Sequence, residues 1–307
     1  MRSGTSLLYA LLNQHPSIAL MYESDVLDLA PFLSQGQQNG WLSRAELWNG
    51  SMSRHFGDAW PEALSGVGDA RALYRAYAAQ KRATVHGEKC PSYCTQLPRL
   101  ARRFPDARFI ILRRDLGEIY GSIRDAGKTH RWFGRTGMFC RMIRQQDGLL
   151  SGCRKLEANG TPLHYVDYAS LVEDTEKTMR EVCQFLDLGF EPKMASLSGA
   201  DFSPIDNAPH HSHLRGLEIR HREKAEINLR LRNRVGRFQA RANRLFAGGR
   251  VKSRPEPSFA ERTLFHAAGV YFSTLDQIVR WIYEAAPAPL LRRYRSLRGG
   301  IRAGITE

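Results

Sequence analysis

The stretch RFIILRRDLGEIYGSIR, residues 108–124, changes character in its middle, and that change decides the fold class. Arg108–Leu112 is a short β-branched and aromatic run without alternation, as expected of a strand buried on both faces of a parallel sheet. A helix is expected to follow from about Leu116. The same order recurs downstream. LHYVDY (163–168) reads as a strand, and residues 175–186 space Met179, Val182, Cys183 and Leu186 three or four apart behind Asp174 as N-cap. Strand followed by helix, repeated, predicts an α/β sheet. Upstream, TSLLYALLN (5–13) has helical spacing with Leu8, Leu11 and Leu12 on one face. That helix ends before His15-Pro16, because proline disfavours a helical residue ahead of it.

Toward the C-terminus, residues 190–225 carry Pro192, Pro204 and Pro209 among many polar residues and read as a long loop. Beyond it Ile227, Leu231, Val235, Phe238, Ala242 and Leu245 recur at helical spacing, with Arg230, Arg234, Arg237, Arg241 and Arg244 as a second stripe. This predicts an amphipathic basic helix over 226–247, stopped by Gly248-Gly249. Ser258 and Glu261 form a capping box that opens a further helix to about Ala285, ahead of Pro287 and Pro289. The expected organisation is an α/β domain over 1–215 and a basic helical region over 216–307 packed on the same domain.

The chain has 307 residues, 42% of them hydrophobic, which excludes a disordered or fibrous protein and allows a large core. It has no apolar run of membrane-spanning length and no signal-peptide pattern, so it reads as soluble and cytoplasmic. Cys90, Cys94, Cys140, Cys153 and Cys183 are odd in number and scattered, which fits reduced thiols; no second pair or histidine cluster completes a zinc site, and no metal is expected. The net charge of +14 is concentrated: residues 215–254 hold 13 Lys/Arg against 3 Asp/Glu. That segment is either a solvated basic helix or a surface for an anionic partner such as nucleic acid, membrane or acidic glycan.

Arg2-Ser3-Gly4-Thr5-Ser6 sets a basic residue and a flexible turn ahead of hydroxyls that open a helix. Helix-opening N–H groups lack intrahelical partners and carry partial positive charge, and glycine lets the backbone approach an anion closely, so the pattern suits phosphate as well as an ordinary capped helix. It is not a Walker A loop, since GxxxxGK[ST] is absent. His210, His211 and His213 have no carboxylate or cysteine partners at metal spacing and read as a polar loop, with acceptor contact as the alternative. His15, at a helix exit, reads as structural.

RSGTSLLYALLNQHPSI (2–18), GEKCPSY (87–93), FPDARFIILRRD (104–115) and YASLVEDTEKTMREVCQFLDLGFEP (168–192) together resemble the PAPS-dependent sulfotransferases, where PAPS is 3'-phosphoadenosine 5'-phosphosulfate. The resemblance covers roughly residues 1–195 and comes nearest the bacterial and tyrosylprotein-type branch. It implies a P-loop-containing three-layer fold, with a central parallel sheet flanked by helices and a helical C-terminal region. It also implies that Arg2, Ser3 and the amides of Gly4, Thr5 and Ser6 hold the 5'-phosphosulfate of PAPS, the co-substrate. Arg114 and Ser122 would grip the 3'-phosphate, with Arg124 a weaker candidate. Glu23 would be the general base, Lys89 would meet the transferring group, and Arg2 would share in catalysis. Cys90 stands where the family commonly has Thr or Asp. The family also places an apolar strand and a short turn before its phosphate loop. Met1 stands directly ahead of RSGT, so the expectation is a sheet without its first strand, with an upstream start or a degraded relative as the two readings.

The leading expectation is a sulfotransferase that moves a sulfuryl group from PAPS to a small-molecule, glycan or peptide hydroxyl and releases 3',5'-ADP. The alternative is an inactive or truncated relative that binds an anionic partner through 226–247, although Phe238 alone among those arginines offers a stacking surface. A nucleotide kinase or NTPase is disfavoured by the missing GK[ST] and the lack of a metal-binding acidic strand end.

Overall fold

The computed structural model describes residues 3–24, 50–58, 60–64, 67, 69–129, 133–205, 214, 216–217, 219, 229–246 and 256–285. Among these, short parallel strands alternate with helices. Helix α1 (Thr5–Leu12) leads to β1 (Ile18–Tyr22); residues 50–56 are helical, and a single turn at Trp60–Ala63 precedes α2 (Ala70–Lys81) and β2 (Val85–Lys89). A 3-10 turn at Pro91–Thr95 and α3 (Leu97–Arg103) lead to β3 (Phe109–Arg113), α4 (Leu116–Thr129) and α5 (Met138–Ala158). Then come β4 (Leu163–Asp167), α6 (Tyr168–Glu173), α7 (Thr175–Phe185), a 3-10 turn at Pro192–Ala195, α8 (Leu229–Phe246) and α9 (Phe259–Ala285).

The local signals behave as the sequence predicts. Asp174 caps α7 by accepting from the Lys177 amide at 3.0 Å, and Ser258 Oγ accepts from the Glu261 amide at 3.1 Å at the start of α9. Such caps satisfy a helix-opening N–H and contribute about 1 kcal/mol each. The Glu261 carboxylate pairs with Arg237 at 2.6 Å, so it links α9 to α8. The loop after α7 is more than a connection: Met194, Leu197, Ile205 and Leu214 are buried in the same cluster as α1 and α7. Gly248-Gly249 and the prolines at 209, 287 and 289 lie outside the described residues.

The strands form two parallel pairs. Ile18↔Val85 through Tyr22↔Lys89 joins β1 to β2, and Phe109↔Leu163 through Arg113↔Asp167 joins β3 to β4. Side chains of a strand alternate between faces, and both faces of the sheets are covered. Ile18, Leu20 and Tyr22 face α1, whereas Ala19 and Met21 face α2 and the helical segment 50–56. Leu112 and Ile110 face α1, whereas Ile111 and Phe109 face α3 and α5. Helix α1 therefore touches both pairs. Helices α8 and α9 pack on α4 and α5 around Ile123, Phe139, Val235 and Phe238. Gly269 allows α9 to lie against α5, since a Cβ there would come 2.5 Å from the Cys140 carbonyl oxygen. Arg141 of α5 fastens the same contact by an ion pair to Asp276 at 2.7 Å.

Among the described residues no ladder joins β2 to β3. Every residue of β2 and every residue of β3 lines one cavity of about 1340 Å³. Alternating side chains of a single face cannot do that, so what each strand presents is its backbone edge. Two edges that line the same cavity and share no ladder among the described residues could each pair with a further parallel strand. Fusing about five apolar, β-branched residues ahead of Met1 is expected to raise the midpoint of thermal unfolding by a few degrees as both ladders gain a partner. An unchanged midpoint would show that neither strand edge takes up the added segment.

Candidate functional site

The carboxyl ends of β2 and β3 meet the opening of α1, and this rim is where open α/β sheets take ligands. Gly4 precedes the helix with φ 97°, in the left-handed region that favours glycine. A Cβ at Gly4 would also lie 2.4 Å from the Tyr168 ring. Both constraints select glycine at this position. The first amides of α1 bonded to backbone among the described residues are those of Leu7 and Leu8, which donate to the Gly4 carbonyl at 3.0 and 3.2 Å. The Thr5 and Ser6 amides precede that ladder, as the first turn of any helix requires.

Tyr168, at the start of α6, touches both sides of the rim. Its edge packs on Gly4, and the guanidinium of Arg114 stacks over its ring at 3.9 Å. The Arg114 Nε donates to Glu118 at 3.1 Å, and the side chain is 10% exposed. Arg114 is thus a cation held in place by an aromatic face and a carboxylate, and it lines the cavity. On the opposite side Lys89, at the end of β2, forms an ion pair with Glu23 and lies 3.8 Å from the centroid of the Tyr22 ring. The Tyr22 hydroxyl and Ser6 Oγ are 2.8 Å apart, which ties this group back to α1. Glu23 has φ 45°, a backbone strain of about 1 kcal/mol. Its amide donates to the Lys89 carbonyl at 2.9 Å, which extends the β1–β2 ladder while turning the carboxylate toward Lys89. The Lys89 side chain is 9% exposed and that of Glu23 41%, so the carboxylate is the solvent-facing member.

Of the sequence-predicted residues, Ser3, Thr5, Lys89 and Arg114 line one cavity, Glu23 joins them through Lys89, Gly4 through Tyr168, and Ser6 through Tyr22. Ser122 and Arg124 on α4 are not among the lining residues; Ser122 lies one helical turn beyond Glu118 and Ile119, which do line it. Arg2, His210, His211 and His213 lie outside the described residues. His15 has a structural part, accepting from the Ser17 amide at 3.0 Å and bonding the Gly189 carbonyl at 2.9 Å. Cys90 lines the cavity with its Sγ 3.0 Å from Ser92 Oγ. No three His, Cys, Asp or Glu side chains come together as metal ligands among the described residues, and all five cysteines are free thiols. Likewise no described helix is long and apolar enough to cross a membrane.

The arginine stripe is engaged internally. Arg234 and Arg237 pair with Glu261 at 3.5 and 2.6 Å, Arg241 pairs with Asp147, and Arg244 with Glu256. Four of the five predicted stripe positions therefore face carboxylates contributed by α5, α9 and the residues ahead of α9, which sequence spacing within the helix does not reveal. Sequence reasoning also missed the wall that α8 supplies: Gln239, Ala242, Asn243 and Phe246 line the cavity, and Gln239 Oε1 accepts from the Leu116 amide at 2.6 Å.

A second missed residue is His55, which is buried and accepts from the Tyr22 amide at 2.8 Å through Nε2. Its Nδ1 faces the Ser51 carbonyl at 2.7 Å, which fixes the tautomer with the proton on Nδ1. Burial depresses its pKa to about 4, against the opposing pull of the Ser51 carbonyl.

Parallel strands beside a glycine-opened helix, with a lysine and an arginine on the same rim, are an α/β arrangement suited to holding an anion. The profile of the sulfotransferase family matches residues 1–192. The chain belongs to that family. A Caenorhabditis briggsae protein bearing the name protein-tyrosine sulfotransferase is 21% identical over 203 residues, which is 63% of this chain and 65% of that protein. The chain thus spans just under two-thirds of the length of this curated relative. The sulfotransferase domain from the curacin biosynthetic pathway superposes with a TM-score of 0.51 at 14% identity, covering 82% of this chain and 95% of its own. The sulfotransferase domain from the Synechococcus PCC 7002 olefin synthase does so with a TM-score of 0.52 at 18% identity, covering 89% and 91%. At these identities the likeness establishes the shared α/β fold.

Folded His55 binds a proton only near pH 4, whereas an unfolded histidine does so near 6.5. The unfolded chain therefore gains protons first as pH falls, and the stability of the folded state declines between about pH 6.5 and 4 by up to about 3 kcal/mol, with no contribution from this group above that window. Urea unfolding at neutral and mildly acidic pH should show this loss in the wild type and a much smaller one in His55→Gln. Equal acid losses in both would place the sensitivity in other groups.

Proposed function

We propose that this chain transfers a sulfuryl group from PAPS to a hydroxyl acceptor and releases 3',5'-ADP. The observation that carries the proposal is the Lys89–Glu23 ion pair beside the opening of α1. A cation suited to the donor side and a carboxylate suited to the acceptor side are thereby within one contact of each other. The donor supplies a sulfuryl group activated by its link to the 5'-phosphate. The acceptor oxygen bonds to sulfur, the bond from sulfur to the phosphate oxygen breaks, and the acceptor proton leaves.

Each of these events has a residue suited to it. The α1 amides of Thr5 and Ser6, with Gly4 giving close approach, suit the 5'-phosphosulfate, and the resemblance assigns Ser3 and Arg2 to the same group. The Lys89 ammonium is suited to the oxygen on which charge grows as the bond to sulfur breaks, where a prepositioned cation acts most strongly. Glu23 is suited to take the acceptor proton because its carboxylate faces solvent, from which an acceptor arrives. Arg114, pinned between Tyr168 and Glu118, suits the 3'-phosphate, with Ser122 further along α4 as the resemblance implies. Among small-molecule, glycan and peptide acceptors, the name of the C. briggsae relative supports a peptide tyrosine.

Two measurements test this reading. At a hundred-fold excess over Kd, 3',5'-ADP should stabilise the fold by about 2.7 kcal/mol, and AMP much less. Arg114→Ala should weaken 3',5'-ADP by on the order of 2 kcal/mol, about thirty-fold in Kd. Equal binding of AMP and 3',5'-ADP would defeat the assignment of Arg114. In steady-state sulfuryl transfer, Glu23→Gln should leave donor affinity nearly intact and lower kcat by roughly a hundred-fold. Near-normal turnover in that variant would remove Glu23 as base.

A further inference from the structure

Three segments meet on the carboxylate of Glu88, the residue directly before Lys89. Glu88 is the fourth residue of β2 and lines the cavity. Ser24 Oγ donates to its Oε1 at 2.8 Å, and the hydroxyls of Tyr74 and Tyr93 donate to its Oε2 at 2.6 and 3.1 Å. Each donor comes from a different segment: Ser24 follows Glu23, Tyr74 belongs to α2, and Tyr93 belongs to the 3-10 turn after Cys90. Burial, followed by the nearby Glu88 carboxylate, pushes the Tyr74 hydroxyl well above the ordinary phenol range, so it stays protonated and a donor.

This geometry bears on the ion pair. Glu23 occupies a left-handed turn whose amide is bonded to the Lys89 carbonyl, and the residue after that turn is the one Glu88 anchors. Lys89 directly follows Glu88 in the strand. One carboxylate therefore fastens the chain immediately after Glu23 and immediately before Lys89, and braces both against α2 and the following turn. We propose that Glu88 is the positioning residue that holds Glu23 and Lys89 in register for sulfuryl transfer. Its kinetic consequence rests on the functional reading above. Its structural consequence does not.

The structural consequence is read by acylating lysines with N-hydroxysuccinimidyl acetate and following each site by mass spectrometry. Lys89 is 9% exposed, while Lys81 and Lys128 at 45% and 75% serve as references within the same chain. In Glu88→Ala the rate at Lys89 should rise about five-fold or more relative to both references while the urea unfolding transition stays cooperative, as expected of local rather than global opening. Glu88→Gln, which can exchange hydrogen bonds with the same three hydroxyls, should recover most of the protection. In turnover, Glu88→Ala should lower kcat about ten-fold or more with the donor KM within about two-fold, and Glu88→Gln should recover much of it.

An unchanged Lys89 rate in Glu88→Ala overturns the proposal. Should Glu88→Ala lose the cooperative urea transition of the wild type, the variant has unfolded, and Ser24→Ala decides in its place: a rise at Lys89 with the transition intact supports the proposal and no rise overturns it. A wild-type chain without sulfuryl transfer would defeat the functional reading, while the acylation pattern still judges whether Glu88 positions the pair.

Discussion

The site depends on one packing contact, the apolar face of α1 laid across two strand pairs that share no hydrogen bonds with each other among the described residues. A continuous sheet fixes its strands by backbone ladders. Here α1 does that work through side chains: Leu7, Leu8, Leu11 and Leu12 meet Ile18 and Tyr22 from one pair and Leu112 and Val166 from the other. Leu11 is fully buried, and removal of such a side chain costs about 2 to 5 kcal/mol in a packed core. On the other sheet face the link is slighter, through Phe104, which packs on both the α2 and the α3–α5 clusters. Because α1 also carries Gly4, the helix that joins the halves is the same one that opens the rim. Its position relative to Lys89 on one side and Arg114 on the other follows from how well those leucines fit.

Polar satisfaction then shapes the rim. A lysine as enclosed as Lys89 loses most of its hydration, which must be replaced by a counter-charge and a polarisable surface. Glu23 gives the first and the Tyr22 ring the second. Tyr22 is held in turn at its amide by His55, at its hydroxyl by Ser6 and at its ring edge by Tyr9, 5.0 Å away. Arg114 follows the same logic with Tyr168 and Glu118. On both sides of the cavity a cation is gripped by one aromatic ring and one carboxylate, and both rings also contact α1 or its opening glycine. Electrostatics and packing are therefore not separable here. The tyrosines that orient the charges are the ones that seat the helix.

How much of this was legible in the sequence depended on whether a residue's partner was near it in the chain. The β3–α4 and β4–α7 units, the Asp174 and Ser258 caps and the α1 and α9 helices follow from local patterns, and the structure has them within a residue or two at their ends. Strands β1 and β2 were missed. IALMY follows Pro16 closely and is too short for periodicity, and VHGEK carries glycine and two charges, so only its pairing with β1 reveals a strand. The candidate site comes from motif resemblance, which singles out Glu23, Lys89 and Arg114 but not what holds them. Nothing within GEKCPSY marks Glu88, because its three hydroxyl donors come from three segments. The histidines that drew notice cluster in sequence at 210–213, while the one that shapes the rim, His55, is a lone residue whose role appears only when its ring meets the Tyr22 amide.

The C-terminal third shows the same limit on a larger scale. Its charge suggested an outward-facing stripe, yet Arg237, Arg241 and Arg244 meet carboxylates of the chain itself, and partly exposed pairs of this kind contribute only about 0 to 1 kcal/mol each. Their effect is better seen as orientation than as stability. They set the angle of α8 so that its other side turns Gln239, Asn243 and Phe246 into the cavity. Gln239 satisfies the Leu116 amide at the opening of α4, a donor that would otherwise lie unpaired two residues from Arg114. Arg113, next in the strand, stacks between Tyr165 and Phe246 at 5.1 and 5.3 Å, so α8 also contacts the residue before Arg114. The family match ends at residue 192, but the cavity wall does not. A rim whose cations are framed by the matched region is closed on one side by a helix outside it, so the cavity beside Arg114 takes part of its shape from α8.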